Sequence, residues 1–157
     1  MTDKLTPEQR RRCMSSIRST DTKPEIIVRK FLFNEGFRYR LHTKKLPGSP
    51  DIVLAKYKTV IFINGCFWHG HKGCKKAELP QTRTDWWQKK INTNIERDNN
   101  NYMQLKALGW HIIIIWECQL KTKVRVSTLT SLSYTFCLLY TSPSPRDISG
   151  SRMPSSA

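Results

Sequence analysis

The sequence predicts one α/β domain in which a mixed sheet is flanked by helices. The chain has 157 residues, which suits a single domain of the usual ~100–150 residues. Its apolar runs are short and segmental, and they give the element order α-β-β-β-α-β. Strands interleaved with helices in this way pack as a sheet with helices on its faces.

The first core helix is predicted from a start signal and a stop signal. Thr22 can cap it, Pro24 suits its first turn, and Glu25 completes a capping box. Gly36 ends it. Between them the apolar positions recur at helical spacing, namely Ile27, Val28, Phe31 and Leu32.

Three strands are predicted next, followed by a long helix and a last strand. Residues 37–41 alternate like a half-buried strand, and residues 51–54 and 59–63 read as a short strand and a fully buried strand. Residues 84–108 have a helical pattern that Gly109 ends. Residues 110–116 contain four consecutive isoleucines and predict a buried strand.

Composition divides the chain into three parts. Residues 1–22 are basic and polar and form an N-terminal arm, and residues 23–124 carry the predicted domain. Residues 125–157 are dominated by Ser, Thr and Pro without a clear period. We expect this tail to be disordered or of non-native origin.

The charge predicts a polyanionic partner. The net charge is +15, from 27 Lys and Arg against 12 Asp and Glu, whereas solubility alone needs only about 2–8 charges. No apolar stretch reaches the ~18 residues of a membrane span, and the first residues lack the layout of a signal peptide. We therefore expect a cytoplasmic protein that binds nucleic acid and no membrane.

One cluster of residues has the chemistry of a zinc site. Cys66, His71 and Cys74 are spaced C-x4-H-x2-C, and Cys118 follows the isoleucine strand. Four nitrogen and sulfur ligands form a closed, structural zinc site. The alternatives are buried free cysteines with a surface histidine, or a site in which His69 replaces His71.

A second group of residues suits phosphodiester cleavage. Asp51 opens a strand and can hold Mg²⁺, although a turn aspartate is an equal interpretation. Glu25 can add a carboxylate, unless its role is only the capping box. His69 is free to act as a general acid or base if zinc does not need it. Asp98 can orient a histidine or a metal-bound water, or simply lie on a solvated helix face.

Aromatic and basic side chains lie around the same loop. Phe67 and Trp68 can either pack in the core or insert as a wedge between DNA bases. Trp86 is expected to face the loop, because its neighbour Trp87 falls on the core face of the helix. The cations nearby can bind phosphates, and they are Lys72, Lys75, Lys76 and Arg83.

These segments resemble the very short patch repair endonucleases. The resemblance is carried by residues 14–25, 46–51, 60–69, 82–87, 90–94 and 108–118, and it covers roughly residues 10–122. The most specific block is Gly65-Cys66-Phe67-Trp68-His69.

The resemblance implies a restriction-endonuclease-like fold and a strand-specific nick beside the T of a T:G mismatch, which arises from deamination of 5-methylcytosine. It implies Mg²⁺ at Asp51 and a general acid or base at His69, supported by Glu25 and Asp98. It also implies zinc on the Cys66, His71, Cys74 and Cys118 set. The wedge would comprise Phe67, Trp68 and Trp86, assisted by Met14.

The implied partner is double-stranded DNA with a T:G mismatch, and other mismatch-repair proteins are candidate partners of an expected monomer. The sequence departs from the family pattern in three places. Asn64 stands where a well-known member has a catalytic histidine, Ile63 replaces a threonine, and Cys74 comes one residue late. The Glu-x-Lys motif of restriction-like nucleases is also absent from residues 59–63, which a histidine-assisted mechanism would explain. The rival interpretations are a non-catalytic zinc module that binds DNA, and a nuclease for methylated or unmodified sites.

Overall fold

A computed structural model describes residues 5–141 of the chain. The elements are α1 (Pro7–Ser16), α2 (Lys23–Asn34), β1 (Arg40–Leu41), β2 (Ile52–Leu54), β3 (Thr59–Asn64), α3 (Thr84–Ala107), β4 (His111–Trp116) and α4 (Arg125–Thr141). The predicted order of elements from α2 to β4 is confirmed, and their bounds differ from the prediction mostly by one or two residues.

The four strands form one mixed sheet in the order β1-β2-β3-β4. The β1–β2 and β2–β3 pairs are antiparallel, whereas β4 runs parallel to β3 with Asn64 opposite Trp116. The ends of β3 and β4 therefore meet at the same edge of the sheet. The loop after β3 and the segment after β4 therefore both begin at that edge.

Apolar side chains cover both faces of the sheet, because successive strand residues point to opposite sides. On one face, α2 and α4 pack against a cluster that includes Ile52 and Ile61. On the other face, Leu105 of α3 packs with Val53 and Val60. The predicted α/β architecture, a mixed sheet flanked by helices, is confirmed.

The tail differs from the expectation of disorder over residues 125–141, which form α4. Leu132 and Phe136 lie four residues apart, on one helical face, and are both buried in the core. Thr130 tolerates the helix interior because its hydroxyl donates to the Val126 carbonyl one turn earlier. These two apolar positions were not recognised from the sequence, because the segment around them is rich in Ser and Thr. Residues 142–157 of the predicted tail lie outside the described residues.

The first predicted strand is also shorter than expected. Only Arg40–Leu41 pair with β2, while Phe37 packs its ring against Tyr57 and Phe136. Within residues 1–22, α1 buries none of its side chains. In the part of the chain that the structure describes, no helix has the length and apolar character needed to cross a membrane.

Candidate active site

A cleft of about 950 Å³ lies between the start of α2, the end of β3 and one face of α3. The four residues predicted to be catalytic all line it, namely Glu25, Asp51, His69 and Asp98. They come from four separate segments of the chain. The fold therefore brings the four side chains predicted to be catalytic together in one cleft.

Asp51 is fixed by the sheet edge on which it lies. It immediately precedes β2, and its Oδ2 accepts the backbone N–H of Ile63 at 2.7 Å. Burial raises the pKa of the Asp51 carboxyl above its ordinary value, and the nearby charge of Glu25 raises it further. A bound cation would offset both effects, which makes Asp51 a candidate ligand for a divalent metal.

Glu25 is buried in the first turn of α2, but it does not form the predicted capping box. Thr22 is the N-cap, yet its Oγ1 donates to Glu25 Oε1 at 3.0 Å and caps no backbone N–H. Glu25 Oε2 accepts the backbone N–H of Asp21 and a hydrogen bond from Arg29 Nη2 at 2.7 Å. The charged partner Arg29 draws the carboxylate into an ion pair.

Arg29 was missed at the sequence level, and it organises the carboxylates beside the cleft. Its Nη1 pairs with Asp21 Oδ1 at 2.6 Å, which holds the pKa of the Asp21 carboxyl below its ordinary value. Its Nη2 also lies 2.9 Å from His42 Nε2. The spacing of Glu25 and Arg29, four residues apart on a helix, was the available signal.

His69 and Asp98 form a hydrogen-bonded pair across the cleft. His69 lies in the loop after β3 and Asp98 on α3, and Nδ1 is 2.5 Å from Oδ2. One turn earlier on α3, Asn94 Nδ2 donates to the Trp68 carbonyl at 3.0 Å and holds the loop in place. Donation from Nδ1 leaves Nε2 available for a proton transfer.

The predicted zinc ligands converge at the edge where β3 and β4 end. The ligand atoms of Cys66, His71, Cys74 and Cys118 all lie within 4.8 Å of one another. Burial raises the pKa of the Cys66 thiol to about 12. The His71 ring stacks on Trp116 with 4.1 Å between centroids, which orients Nδ1 toward Cys118 Sγ. This donor set fits tetrahedral zinc, and His69 is engaged elsewhere.

The predicted wedge residues are divided between a packed cluster and the surface. Phe67, Trp68 and Trp87 contact one another edge to face at 5.2–5.9 Å. Trp68 also lines the cleft, and Trp86 is 55% exposed. The remaining predicted DNA contacts, Met14, Lys72 and Arg83, are exposed and do not line the cleft.

One more pair in the cleft was missed. Asn64, at the end of β3, is buried, and its Nδ2 donates to the Tyr102 hydroxyl at 3.0 Å. Tyr102 lies on α3, one turn after Asp98, a spacing that puts both side chains on one helix face.

Known proteins resemble this chain over most of its length. The family model of the DNA mismatch endonuclease Vsr matches residues 2–76. The type II nicking enzyme V.NmeAIP of Neisseria meningitidis is 53% identical over 123 residues, which are 78% of this chain and 87% of that protein. The type II nicking enzyme V.XorIIP of Xanthomonas oryzae is 48% identical over 76% of this chain and 88% of its own. The DNA mismatch endonuclease Vsr of Escherichia coli is 40% identical over 73% of this chain and 72% of its own.

Proposed function

Because the chain belongs to the Vsr family of DNA mismatch endonucleases, we propose that it nicks one strand of duplex DNA beside the T of a T:G mismatch. The observation that carries this proposal is the meeting of Asp51 and the His69–Asp98 pair in one cleft. An exposed carboxylate alone binds nothing specific. A half-buried carboxylate and an oriented imidazole in one cleft can together supply a metal ligand and a proton-transfer group for phosphodiester hydrolysis.

Asp51 is the carboxylate that would hold Mg²⁺. Magnesium is commonly bound by one or two carboxylates together with substrate phosphates and waters, and the rigid position of Asp51 suits that arrangement. When bound there, Mg²⁺ supplies charge to neutralise the phosphate. Glu25 is committed to Arg29 and Thr22, so its proposed role is to hold the entrance of the cleft and to shape the field at Asp51.

His69 is the group that would move a proton. Its Nε2 takes a proton from the attacking water or gives one to the leaving oxygen, while Asp98 fixes the ring through Nδ1. The negative charge of Asp98 also stabilises the imidazolium that forms after the proton is taken.

The Cys/His cluster would hold a structural zinc ion. Its four donors leave no position for water, so its role is to tie the loop after β3 to the end of β4. That loop carries Phe67, Trp68 and His69. The cluster would thereby hold the aromatic residues and the proton-transfer residue of this loop in place against the end of β4.

The aromatic residues would read the mismatch by stacking. A side chain that stacks on a base contributes about 1–3 kcal/mol, and a weakly paired step costs less to open than a matched one. Trp86 is exposed and Trp68 borders the cleft, so they are the proposed contacts, with Phe67 behind them and Met14 on the arm. Lys72 and Arg83 would bind phosphates on either side.

A nicking assay tests the proposal. A duplex with one T:G mismatch, labelled separately on each strand, is incubated with and without Mg²⁺ beside a matched duplex and a duplex with a methylated site. We expect a Mg²⁺-dependent nick in the T strand of the mismatched duplex only. Tight mismatch binding without cutting would instead favour a zinc module that only binds DNA, and cutting of the matched or methylated duplex would overturn the mismatch specificity.

A further inference from the structure

Tyr102 and Asn64 form a polar pair inside the cleft that the proposed chemistry has not used. Both side chains line the cleft together with Asp51, His69 and Asp98. Polar groups placed in a cavity next to reacting groups are candidates for substrate contact. The direction of their hydrogen bond determines what the pair can offer to a substrate.

In this hydrogen bond the hydroxyl oxygen of Tyr102 is the acceptor, so the hydroxyl hydrogen stays available for donation. Asn64 Nδ2 is only a donor, so the phenolic oxygen accepts at 3.0 Å. Within residues 5–141 no group accepts the phenolic hydrogen. The phenol is therefore a hydrogen-bond donor without an acceptor in the described part of the chain, held at the wall of the cleft.

The pair is also rigid. The Tyr102 ring packs edge to face on Phe62 with 5.1 Å between centroids, and Asn64 is buried two residues further along the same strand. Residues two apart on a strand share one face, so Phe62 positions the ring and Asn64 the hydroxyl. A donor fixed in this way loses little freedom when a ligand arrives.

The phenol is protonated in its surroundings. Burial raises the pKa of Tyr102 above its ordinary value, and the charges of Asp98 and Asp51 raise it further. The nearby carboxylates thus favour the protonated phenol, which can donate a hydrogen bond.

We propose that Tyr102 is a catalytic residue that donates a hydrogen bond to a non-bridging oxygen of the scissile phosphate, and that Asn64 is the positioning residue that directs it. The proposal rests on the proposed nicking activity. Charge builds on the phosphate oxygens as water attacks, and a preorganised donor stabilises that charge more than the ground state. The carboxylates of the cleft accept hydrogen bonds but do not donate them, so a neutral hydroxyl supplies what they cannot.

The first test is the Tyr102→Phe variant, which keeps the ring on Phe62 and removes only the hydroxyl. Loss of one preorganised donor lowers kcat by about 10²-fold or more. We expect the nicking rate on the T:G duplex to fall by about that factor at a temperature well below the melting transition, with mismatch binding unchanged. The melting temperature should fall only modestly, because buried Asn64 Nδ2 loses its acceptor. Tyr134→Phe is the matched control, because Tyr134 is exposed on α4, and it should nick at the wild-type rate.

The second test separates a contact with phosphate from a structural role. Each diastereomer of a phosphorothioate replaces one non-bridging oxygen at the scissile phosphate by sulfur, which accepts hydrogen bonds weakly. For one diastereomer, we expect sulfur to slow the wild type more than it slows Tyr102→Phe. As a single variant, Asn64→Ala should lower the nicking rate by about 2–10-fold, as expected for one lost neutral hydrogen bond. Combined with Tyr102→Phe, it should lower the nicking rate no further.

The outcomes distinguish the two proposals. Wild-type protein that does not nick the mismatched duplex overturns the proposed function and this inference together. If the wild type nicks but Tyr102→Phe nicks equally fast, or both diastereomers slow the two proteins equally, only the role of Tyr102 is overturned.

Discussion

Two regions of the molecule bring together side chains of the types that bind metals. They differ in whether a protein cation already pairs with those side chains. The Cys66, His71, Cys74 and Cys118 cluster and the Asp21, Glu25 and His42 cluster each bring their ligand atoms within 4.8 Å. In the second region Arg29 bonds to both carboxylates at 2.6 and 2.7 Å. Beside the Cys/His cluster, the cation Lys76 is ion-paired with Glu117 at 2.6 Å, and it interacts with Cys66 and Cys74 only at longer range.

The difference shows that proximity of ligands does not by itself specify a metal site. A guanidinium that pairs with two carboxylates occupies the place of a cation, so the acidic cluster is an ion-pair network. Asp51, in the same cleft, accepts a backbone N–H and pairs with no Lys or Arg within the described residues. The proposed Mg²⁺ is therefore assigned to Asp51 and not to the acidic cluster. Disrupting the first region should therefore cost the fold, whereas changes in the cleft should cost activity.

The largest expected effect is on the Cys/His cluster. Cys118→Ala removes one candidate zinc ligand, and structural zinc contributes about 10–16 kcal/mol in zinc-finger peptides. We expect the variant to lose bound zinc and its cooperative thermal transition, as measured by metal analysis and circular dichroism. Cys13→Ala, at an exposed position outside the cluster, is the control and should keep both. A zinc-free Cys118→Ala protein that melts like the wild type would contradict a structural site.

The next effect is on activity. Asp51→Asn removes the candidate Mg²⁺ ligand, and metal stabilisation of phosphate charge amounts to several kcal/mol, or about 10³-fold in rate. We expect nicking to fall by about that factor while mismatch binding persists. Nicking at the wild-type rate would reject Asp51 as the metal ligand.

The same variant should be more stable than the wild type in magnesium-free buffer. The folded-state pKa of Asp51 is raised, so its ionised form disfavours folding at pH values above that pKa. The gain in melting temperature from Asp51→Asn should be present at neutral pH and disappear as the pH falls below the ordinary Asp value. Melting curves across this range measure it, and a gain that grows toward acid pH would have the wrong sign.

Breaking the ion-pair network should have an intermediate effect on stability. Arg29→Met leaves the carboxylate of Glu25 buried without its cation, which costs about 3–5 kcal/mol in comparable cases. Urea unfolding should show this loss. The double variant with Glu25→Gln should recover much of it, because no buried charge is left unpaired. A single variant as stable as the wild type would show that the network is not what stabilises this region.

The smallest effect is expected where the loop of the Cys/His cluster meets the end of β4. Lys76 Nζ pairs with Glu117 Oε1 at 2.6 Å, but both side chains are about two-fifths exposed. This pair raises the pKa of Lys76, so its contribution is present at neutral pH and lost only as alkaline pH deprotonates Lys76. Lys76→Ala should lower stability by at most about 1 kcal/mol in chemical unfolding, compared with Lys75→Ala as control. A larger loss would mean that the pair helps to hold this loop.

Local sequence signals determined most of the secondary structure. The isoleucine run, the period of residues 84–108 and the glycine stops placed β4, α3 and the ends of α2 and α3, because these signals depend on neighbours in the chain. The four Cys and His positions were also recognisable, since thiolates and imidazoles are the ligands that structural zinc sites use. Helix α4 was not, because Leu132 and Phe136 are recognised as core residues only when a sheet face is present to bury them.

Tertiary structure decided the use of each polar side chain. The sequence around Glu25 matched a capping box, yet its carboxylate pairs with Arg29 in the structure. A charge-assisted pair with a guanidinium is stronger than the hydrogen bond of a cap to a neutral backbone N–H. Asp98 had the pattern of a solvated helix face, and only the packing of α3 on the loop after β3 brought it to His69. Tyr102 and Asn64 lie 38 residues apart in the chain, and no local pattern links them. The sequence by itself determined the elements and the inventory of reactive groups, whereas contacts between distant segments decided which groups meet, because a hydrogen bond depends on distances that only the packed fold sets.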